Sequence, residues 1–299
     1  MSLPLGLVYG EPADVYHAAP GVTNHRLADF ARPNVPLLFF RKYISKEAPD
    51  SFTSDAKEFG EFFHALALEG ETVADARFSV LPDDAPDRPT KAMLNAAKPS
   101  EQSIARVRWW ADWDKANAGK KVISKADSEL AWKMVESIRA KPKLRALFDH
   151  GKPEVVARHQ MAAFTIQSRL DWFDEALDEW QRPLIVDVKT IDSLANFEKQ
   201  FFKYGYYRQA AFYQLVVYET MKLQGAYPRF KFVVVEKSEP FQSLVYVPGE
   251  TSLDIGRKEV LADLTRIKGC YDSGIWPGTP DEELPVEVPE WKQVKGAGA

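Results

Sequence analysis

Cysteine is almost absent from this sequence, because Cys270 is the only one in 299 residues. A single thiol excludes a disulfide within the chain and an iron–sulfur cluster held by four of its own cysteines. No histidine follows Cys270, so a Cys/His catalytic pair would have to be assembled from distant segments. We therefore expect a protein of a reducing, cytoplasmic compartment.

Long apolar runs are also absent. No stretch approaches the roughly 18 residues needed to cross a bilayer. The short segment from Leu3 to Val8 has neither a basic leader nor a small-residue cleavage site. We expect no membrane association and no export.

The sequence has little excess charge of either sign, with a formal net charge of −4. This balance argues mildly against a protein coated with nucleic acid, although a local basic channel is compatible with it. Three motifs of common enzyme classes are missing, namely a G-x-S-x-G elbow, a P-loop and a Rossmann fingerprint. The five histidines lack zinc spacing.

What the chain does have is an ordinary globular composition, with 45% hydrophobic residues, enough for a sizeable core. Spacing of apolar residues and capping residues predict several helices. They cover about 24–30, a capped helix opening at Ser54, 100–118, 124–140 and one long helix over 197–222. Three prolines predict a loop over 80–90.

A short apolar strand ends in charge at Asp187-Val188-Lys189. Because side chains alternate along a strand, Asp187 and Lys189 project to one side and Val188 to the other. Further strands are predicted over 154–156, 164–173, 230–235 and 243–247. A lone D-x-K triplet is a weak signal, because an ordinary charged strand end explains it equally well.

Other acids give the triplet weight. Asp171 lies at the end of the preceding strand and Glu154 at the start of the strand before that. Carboxylate and backbone carbonyl oxygens are the ligands that Mg²⁺ prefers, so Asp187, Asp171 and the Val188 carbonyl can hold a cation. Lys189 can then position or deprotonate the attacking water, or neutralise developing charge. Arg169 shares a face with Asp171, which suits either a phosphate contact or a salt bridge to Asp171 itself.

Two helical motifs each have two interpretations. Gln209 and Tyr213 are four residues apart on one helix face, with Lys203 and Arg208 nearby as candidate DNA contacts, although an aromatic core stripe explains the same pattern. His64 is either a satisfied core histidine or a nitrogen ligand beside the metal.

The ordered series of these motifs resembles the PD-(D/E)XK nucleases of the RecB and RecE kind. The series is Gly60-x-x-x-His64, Glu154, Asp171, Asp187-x-Lys189 and Gln209-x-x-x-Tyr213. Five motifs in one order are more specific than any one of them. Flanking segments at 16–22, 37–42, 119–123, 204–213 and 275–277 look like the RecE family, so the resemblance spans about Glu11 to Pro277.

The resemblance implies a mixed α/β nuclease core, with a central mixed β-sheet flanked by helices and a helical N-terminal elaboration. It implies a Mg²⁺-dependent 5′-to-3′ exodeoxyribonuclease acting on linear double-stranded DNA, with one or two ions and Mn²⁺ as a substitute. In that picture His64, Asp171, Asp187 and Val188 hold the metal and Glu154 assists. Lys189 serves the attacking water, while Gln209 and Tyr213 order the site and the DNA end.

The resemblance further implies a RecT-like single-strand annealing partner, a homo-oligomeric ring (a tetramer) and a phage or prophage source in a bacterial host. We expect one nuclease domain over 1–280, with 1–53 an irregular part packed on it and 281–299 an acidic tail. Two alternatives stay open: a RecB-like nuclease module of a DNA repair complex, and an inactive nuclease-fold protein that only binds DNA or a partner. The absence of a helicase motor and the presence of every acid argue against them.

Overall fold

The computed structural model describes residues 3–31, 36–48, 55–279, 281 and 285. Ser54, the predicted helix cap, and nearly all of the predicted tail over 281–299 lie outside the described residues.

Helices make up most of the secondary structure in this part of the chain. The α-helices are α1 (Ala13–Ala18), α2 (Asn24–Ala31), α3 (Pro36–Phe39), α4 (Asp55–His64), α5 (Glu71–Arg77), α6 (Lys91–Leu94), α7 (Glu101–Ala116), α8 (Lys125–Arg139), α9 (Pro142–Arg145), α10 (Phe197–Lys203), α11 (Tyr206–Met221) and α12 (Glu250–Ser273). Short π-helical turns, Phe40–Ile44 and Ala65–Glu69, continue α3 and α4. None of the helices described above combines the length and apolar character needed to span a bilayer.

The strands of the described residues form two sheets. They are β1 (Gly6–Val8), β2 (Phe78–Leu81), β3 (Lys121–Ser124), β4 (Lys152–Gln160), β5 (Thr165–Asp174), β6 (Leu184–Ile191), β7 (Arg229–Glu236) and β8 (Ser243–Tyr246). The main sheet has the order β1-β4-β5-β6-β7-β8, in which β6 and β7 run parallel and all other neighbours antiparallel. Strands β2 and β3 form a separate parallel pair. The predicted class, a mixed sheet flanked by helices, is confirmed.

Strands β4 and β5 form a hairpin without glycine in its turn. The Met161 amide donates a 2.8 Å hydrogen bond to the Phe164 carbonyl, which closes the turn around two alanines. The two extended segments predicted there are confirmed, as are the later strands over 230–235 and 243–247.

Strand β6 separates two hydrophobic cores. Ile185 and Ile191 pack into the core shared with α2, α11 and α12, whereas Val186 and Val188 pack into the core shared with α4 and α8. The alternation follows from the period of two along a strand. Asp187 consequently lies on the α11 side, as the predicted opposite facing of Asp187 and Val188 requires.

The prediction of one long helix over 197–222 is wrong. The helix breaks at Tyr204-Gly205, where Gly205 adopts a left-handed conformation with φ of 67°. Glycine reaches that region without a Cβ penalty, so the chain turns there and restarts as α11. The helices predicted over 24–30, 100–118 and 124–140 are confirmed as α2, α7 and α8, and Ser100 and Ser124 cap the last two.

The N-terminal segment is fixed to the sheet by a buried ion pair. Arg158 of β4 donates hydrogen bonds of 2.7 and 3.1 Å to the Glu11 carboxylate, and both side chains are almost fully buried. Gly21 comes so close to Gln167 that a Cβ would lie 2.8 Å from its side chain. Val22 next to it pairs with β5 beside Ile166.

Candidate active site

The site lies where β5 and β6 separate. Their ladder runs from Asp174↔Leu184 to Trp172↔Val186 and stops there. One further step in this register would set Asp171 opposite Asp187. Beyond that row, β7 is the one partner of β6 among the described strands, and Val22 pairs with the edge of β5 at Ile166.

A third acid continues the same row on β4. The β4–β5 register places Pro153 opposite Trp172 and Val155 opposite Leu170, so Glu154 faces Asp171. Glu154 has a positive φ of 54°, a strained backbone for a residue with a side chain. Three carboxylates therefore occupy one row across three neighbouring strands.

Asp171 binds the part of β6 that extends beyond its ladder with β5. Its Oδ2 accepts a 2.8 Å hydrogen bond from the Val188 amide, which has no β5 partner because the ladder has ended. His64, the last residue of α4, places Nε2 3.1 Å from the Val188 carbonyl and Nδ1 3.7 Å from Asp171 Oδ2. The predicted association of His64, Asp171 and the Val188 carbonyl is thus present in the geometry.

His64, Glu154 and Asp171 each offer one ligand atom, and these atoms lie within 4.8 Å of one another. A nitrogen, two carboxylates and the nearby Val188 carbonyl form a donor set that suits a divalent cation. Burial, and then the negative charge of Asp171, raises the pKa of Glu154 to about 7. Crowded carboxylates resist ionisation because their negative charges repel each other. A bound cation would offset this repulsion, so the residues fit a metal.

Asp187 is held by different partners. Gln209 Nε2 donates a 2.7 Å hydrogen bond to its Oδ1, and Lys189 Nζ lies 2.5 Å from its Oδ2. Burial raises the pKa of Asp187 to about 6, and the negative charge of Asp171 adds to this, although the positive charge of Lys189 opposes it. The three-residue ligand cluster thus contains Glu154 where the sequence prediction placed Asp187, which borders it.

Lys189 remains a cation in this setting. Burial lowers its pKa, but the charges of Asp187 and Asp171 outweigh burial and raise the pKa above its usual value. Its Nζ also lies 5.2 Å from the ring centre of Tyr206, the first residue of α11. A protonated amine donates hydrogen bonds and does not accept a proton.

Gln209 and Tyr213 share the α11 face that meets the sheet, as predicted. Burial, and then the charge of Asp187, keeps the pKa of Tyr213 well above its usual range. Its phenol is therefore a neutral hydrogen-bond donor, and it interacts with Gln209.

Three basic residues were predicted as candidate phosphate or DNA contacts, and the structure gives the neighbours of each side chain. Arg169 Nε lies 2.7 Å from Glu154 Oε2, so its carboxylate partner is Glu154 and the suggested salt bridge to Asp171 is wrong. Arg208 donates to Glu259 and Asp263 on α12 at 3.0 and 2.6 Å, which ties its guanidinium to two acids away from the row. Lys203 is exposed, with its Nζ 5.2 Å from the Tyr204 ring centre.

Sequence reasoning assigned no site role to α1, yet α1 borders the site. Tyr16 is buried, and the charge of Arg169 acts on it. Burial, and then the positive charges of Arg169 and Lys57, lowers the pKa of His17. No periodicity in the first fifty residues could have indicated this, because the placement depends on Val22 pairing with β5.

The fold has relatives among solved structures. A crystal structure described as a "Putative exonuclease" from Eubacterium rectale superposes with a TM-score of 0.59 at 13% identity, over 100% of each chain. At this identity the likeness shows the fold alone. The crystal structure of SSO0001 covers 74% of this chain and 97% of its own at 12% identity, and its TM-score of 0.27 supports no argument.

Sequence comparison identifies the family. Among curated proteins no significant match is found. A family model described as "PDDEXK-like domain of unknown function (DUF3799)" matches residues 42–282, most of the chain. That span contains the row of acids, His64, Lys189 and the Gln209 face. The chain therefore belongs to this PDDEXK-like family, and its assignment to the wider PD-(D/E)XK superfamily is confirmed.

Proposed function

We propose that the protein is a Mg²⁺-dependent 5′-to-3′ exodeoxyribonuclease that digests linear double-stranded DNA and leaves 3′ single strands for annealing. The observation that carries the proposal is the row of Glu154, Asp171 and Asp187 beside His64 and Lys189. A compact acidic row beside a partly buried lysine is suited to hydrolysis of a phosphodiester, because a bound metal and the lysine can offset the negative charge of the phosphate.

The metal-holding residues in this proposal are His64, Glu154, Asp171 and the Val188 carbonyl, with Asp187 at the border of the cluster, for one or two ions. Hard oxygen donors favour Mg²⁺, with Mn²⁺ as the substitute that a histidine ligand tolerates. When bound, the ion supplies positive charge to the scissile phosphate and makes water a better nucleophile.

Lys189, Gln209 and Tyr213 have separate roles beside the metal. Lys189 is cationic, so its role is to hold the attacking water or phosphate oxygen by donated hydrogen bonds and to offset negative charge in the transition state. Deprotonation of water by Lys189, the other role open from the sequence, is disfavoured by its raised pKa. Gln209 fixes the Asp187 carboxylate through Oδ1, and the protonated Tyr213 interacts with Gln209 from the next turn.

Positive charge near the acids supports a phosphate-bearing substrate. Arg169 lies on the β5 face of Asp171, and Lys57 faces the same region from α4. The lowered pKa of His17 on α1 favours its neutral form, so His17 adds no positive charge there. Arg208 does not enter the proposed DNA surface, because two carboxylates already neutralise it.

The choice of duplex ends, the polarity, the RecT-like partner, the tetrameric ring and the cytoplasm of a bacterial host rest on the resemblance to RecE-type exonucleases. A RecB-like repair module shares the site motifs and remains the second candidate. An inactive DNA-binding relative is disfavoured, because the row keeps three acids and Lys189.

Digestion of linear duplexes labelled at the 5′ or the 3′ end, beside a covalently closed circle, tests the proposal. We expect Mg²⁺-dependent release of the 5′ label first and an intact circle. Cleavage of the circle would contradict the exonuclease assignment, and earlier release of the 3′ label would reverse the polarity. No hydrolysis of any substrate with Mg²⁺ or Mn²⁺ would leave the inactive alternative.

A further inference from the structure

The break between α10 and α11 presents aromatic side chains at the rim of the site. Gly205 turns the chain so that Tyr206 and Gln209, three residues apart, share the α11 face directed at β6. Tyr206 reaches Lys189 and Gln209 reaches Asp187. The residues just before the break, 202–204, therefore lie next to the site but outside the core.

Two of these residues expose large rings to solvent. Phe202 is 67% exposed and Tyr204 is 56% exposed, whereas Phe197 on the same helix is buried. The Tyr204 and Tyr206 ring centres are 5.9 Å apart, and the Tyr206 ring lies beside Lys189 Nζ. A single ring thus separates the exposed Tyr204 from the amine that faces Asp187.

Positive charge accompanies the exposed rings. Lys199 and Lys203 are both exposed and four residues apart on α10, so they share a helix face. Lys203 Nζ lies 5.2 Å from the Tyr204 ring centre, and Glu198 is the acid on the same helix. Aromatic faces interleaved with lysines bind single-stranded nucleic acid, because bases stack on the rings and phosphates meet the cations.

We propose that Phe202 and Tyr204 form a stacking platform for unpaired bases at the DNA end that enters the active site. The inference rests on the proposed function and specifies how the end is recognised. Bases inside a duplex stack on each other, so the platform engages only bases that have frayed or belong to an overhang. The occupant is a nucleic acid strand, because Tyr204 lies beside Lys203 and one ring away from Lys189, and the exposed Phe202 precedes Lys203 directly in the chain.

The test compares binding of DNA ends with and without terminal bases. Fluorescence anisotropy measures the affinity for a duplex with a short single-stranded end, and for the same duplex with abasic sites at its terminal nucleotides. Ca²⁺ replaces Mg²⁺ to suppress hydrolysis, and a gel checks that the DNA stays intact. The protein is wild type, Phe202→Ala, Phe202→Trp, Tyr204→Ala or Trp180→Ala. Trp180 is the matched control, since it is 64% exposed on the loop between β5 and β6.

For wild type, we expect abasic ends to weaken binding roughly 5- to 100-fold, the scale of lost base stacking. Phe202→Ala and Tyr204→Ala should weaken binding of the intact end similarly and lose the sensitivity to abasic sites. Phe202→Trp should restore both, and Trp180→Ala should resemble wild type.

Variants that bind both ends as wild type does would overturn the platform. A change in oligomeric state without a change in the abasic effect would also overturn it, because the rings would then cover another protein chain. Failure of the proposed function looks different, since wild type itself would then show no metal-dependent hydrolysis.

Discussion

The Asp171 carboxylate accepts a 2.8 Å hydrogen bond from the backbone amide of Val188, two residues beyond Val186, where the ladder of β6 with β5 ends. At this position a side-chain oxygen accepts the hydrogen bond that a carbonyl of a neighbouring strand would otherwise accept. The bond leaves the Val188 carbonyl facing His64 and keeps the two strands apart without leaving a buried amide unpaired. Asp171 thus shapes the opening in which the acids meet, in addition to offering a ligand oxygen.

Gln209 gives a prediction that separates positioning from stability. Gln209→Leu removes the hydrogen bond to Asp187 Oδ1 and should cost about 1–3 kcal/mol of unfolding free energy. Because Asp187 is then free to shift, nuclease activity should fall roughly 100-fold. Denaturant melts and initial rates measure the two effects.

Gln214→Leu is the matched control for this variant. Gln214 is also buried on α11 and donates a 2.6 Å hydrogen bond to the Pro228 carbonyl, away from the acids. It should lose similar stability and keep its activity. Equal losses of activity in both variants would show that Gln209 acts only through the fold.

Glu11 tests the attachment of the N-terminal segment. Glu11→Ala leaves the buried Arg158 guanidinium without its carboxylate and should cost about 3–5 kcal/mol, because an unpaired buried charge is strongly unfavourable. Asp114→Ala breaks the exposed pair with Arg88 and should cost about 0–1 kcal/mol. Chemical denaturation of both variants measures the difference, and comparable small losses would mean that the segment contributes little to the folded state.

Metal binding should depend on pH through Glu154 and Asp187. Their pKa values, about 7 and about 6, are above those of unfolded carboxyls. Without metal, their contribution to stability is therefore greatest at acid pH and is lost as the pH rises through these values. A cation binds the ionised forms, so the Mg²⁺-induced rise in melting temperature should be larger at pH 8 than at pH 6.

Glu154→Gln provides the control for the pH effect. This variant has no carboxyl to titrate at position 154, so the difference in Mg²⁺-induced stabilisation between pH 6 and pH 8 should shrink. A wild-type protein that Mg²⁺ stabilises equally at both pH values would contradict the assignment of these acids to the metal.

The strands of the site were predictable because their signals are local. The apolar run ending at Asp187-Val188-Lys189 fixes both the strand and the facing of its charges, and the order of acids indicates neighbouring strand ends. The prediction could not say which acids share a cluster. That depends on the divergence of β5 and β6 and on the left-handed backbone of Glu154, and neither follows from side-chain periodicity.

The helices were harder to predict where the role of a glycine depends on tertiary packing. The sequence led to no prediction of α12, whose interior contains Gly256. Glycine within a helix is unfavourable by propensity, but a Cβ at Gly256 would lie 2.7 Å from the Tyr207 carbonyl oxygen, so α11 and α12 pack closely only because it is absent. Gly205 has the opposite effect on helix continuity, because α10 ends before it and α11 begins after it.

The most direct test of the central claim is Mg²⁺-dependent release of nucleotides from a uniformly labelled linear duplex by wild type, Asp187→Ala, Asp187→Asn and Asp192→Asn. Asp192 is the control, since it lies just beyond β6 with an 81% exposed side chain. Circular dichroism confirms that each variant is folded. We predict that wild type and Asp192→Asn digest the duplex, while both Asp187 variants lose activity by roughly 100-fold or more. Digestion at the wild-type rate by a folded Asp187→Ala or Asp187→Asn protein would contradict the account.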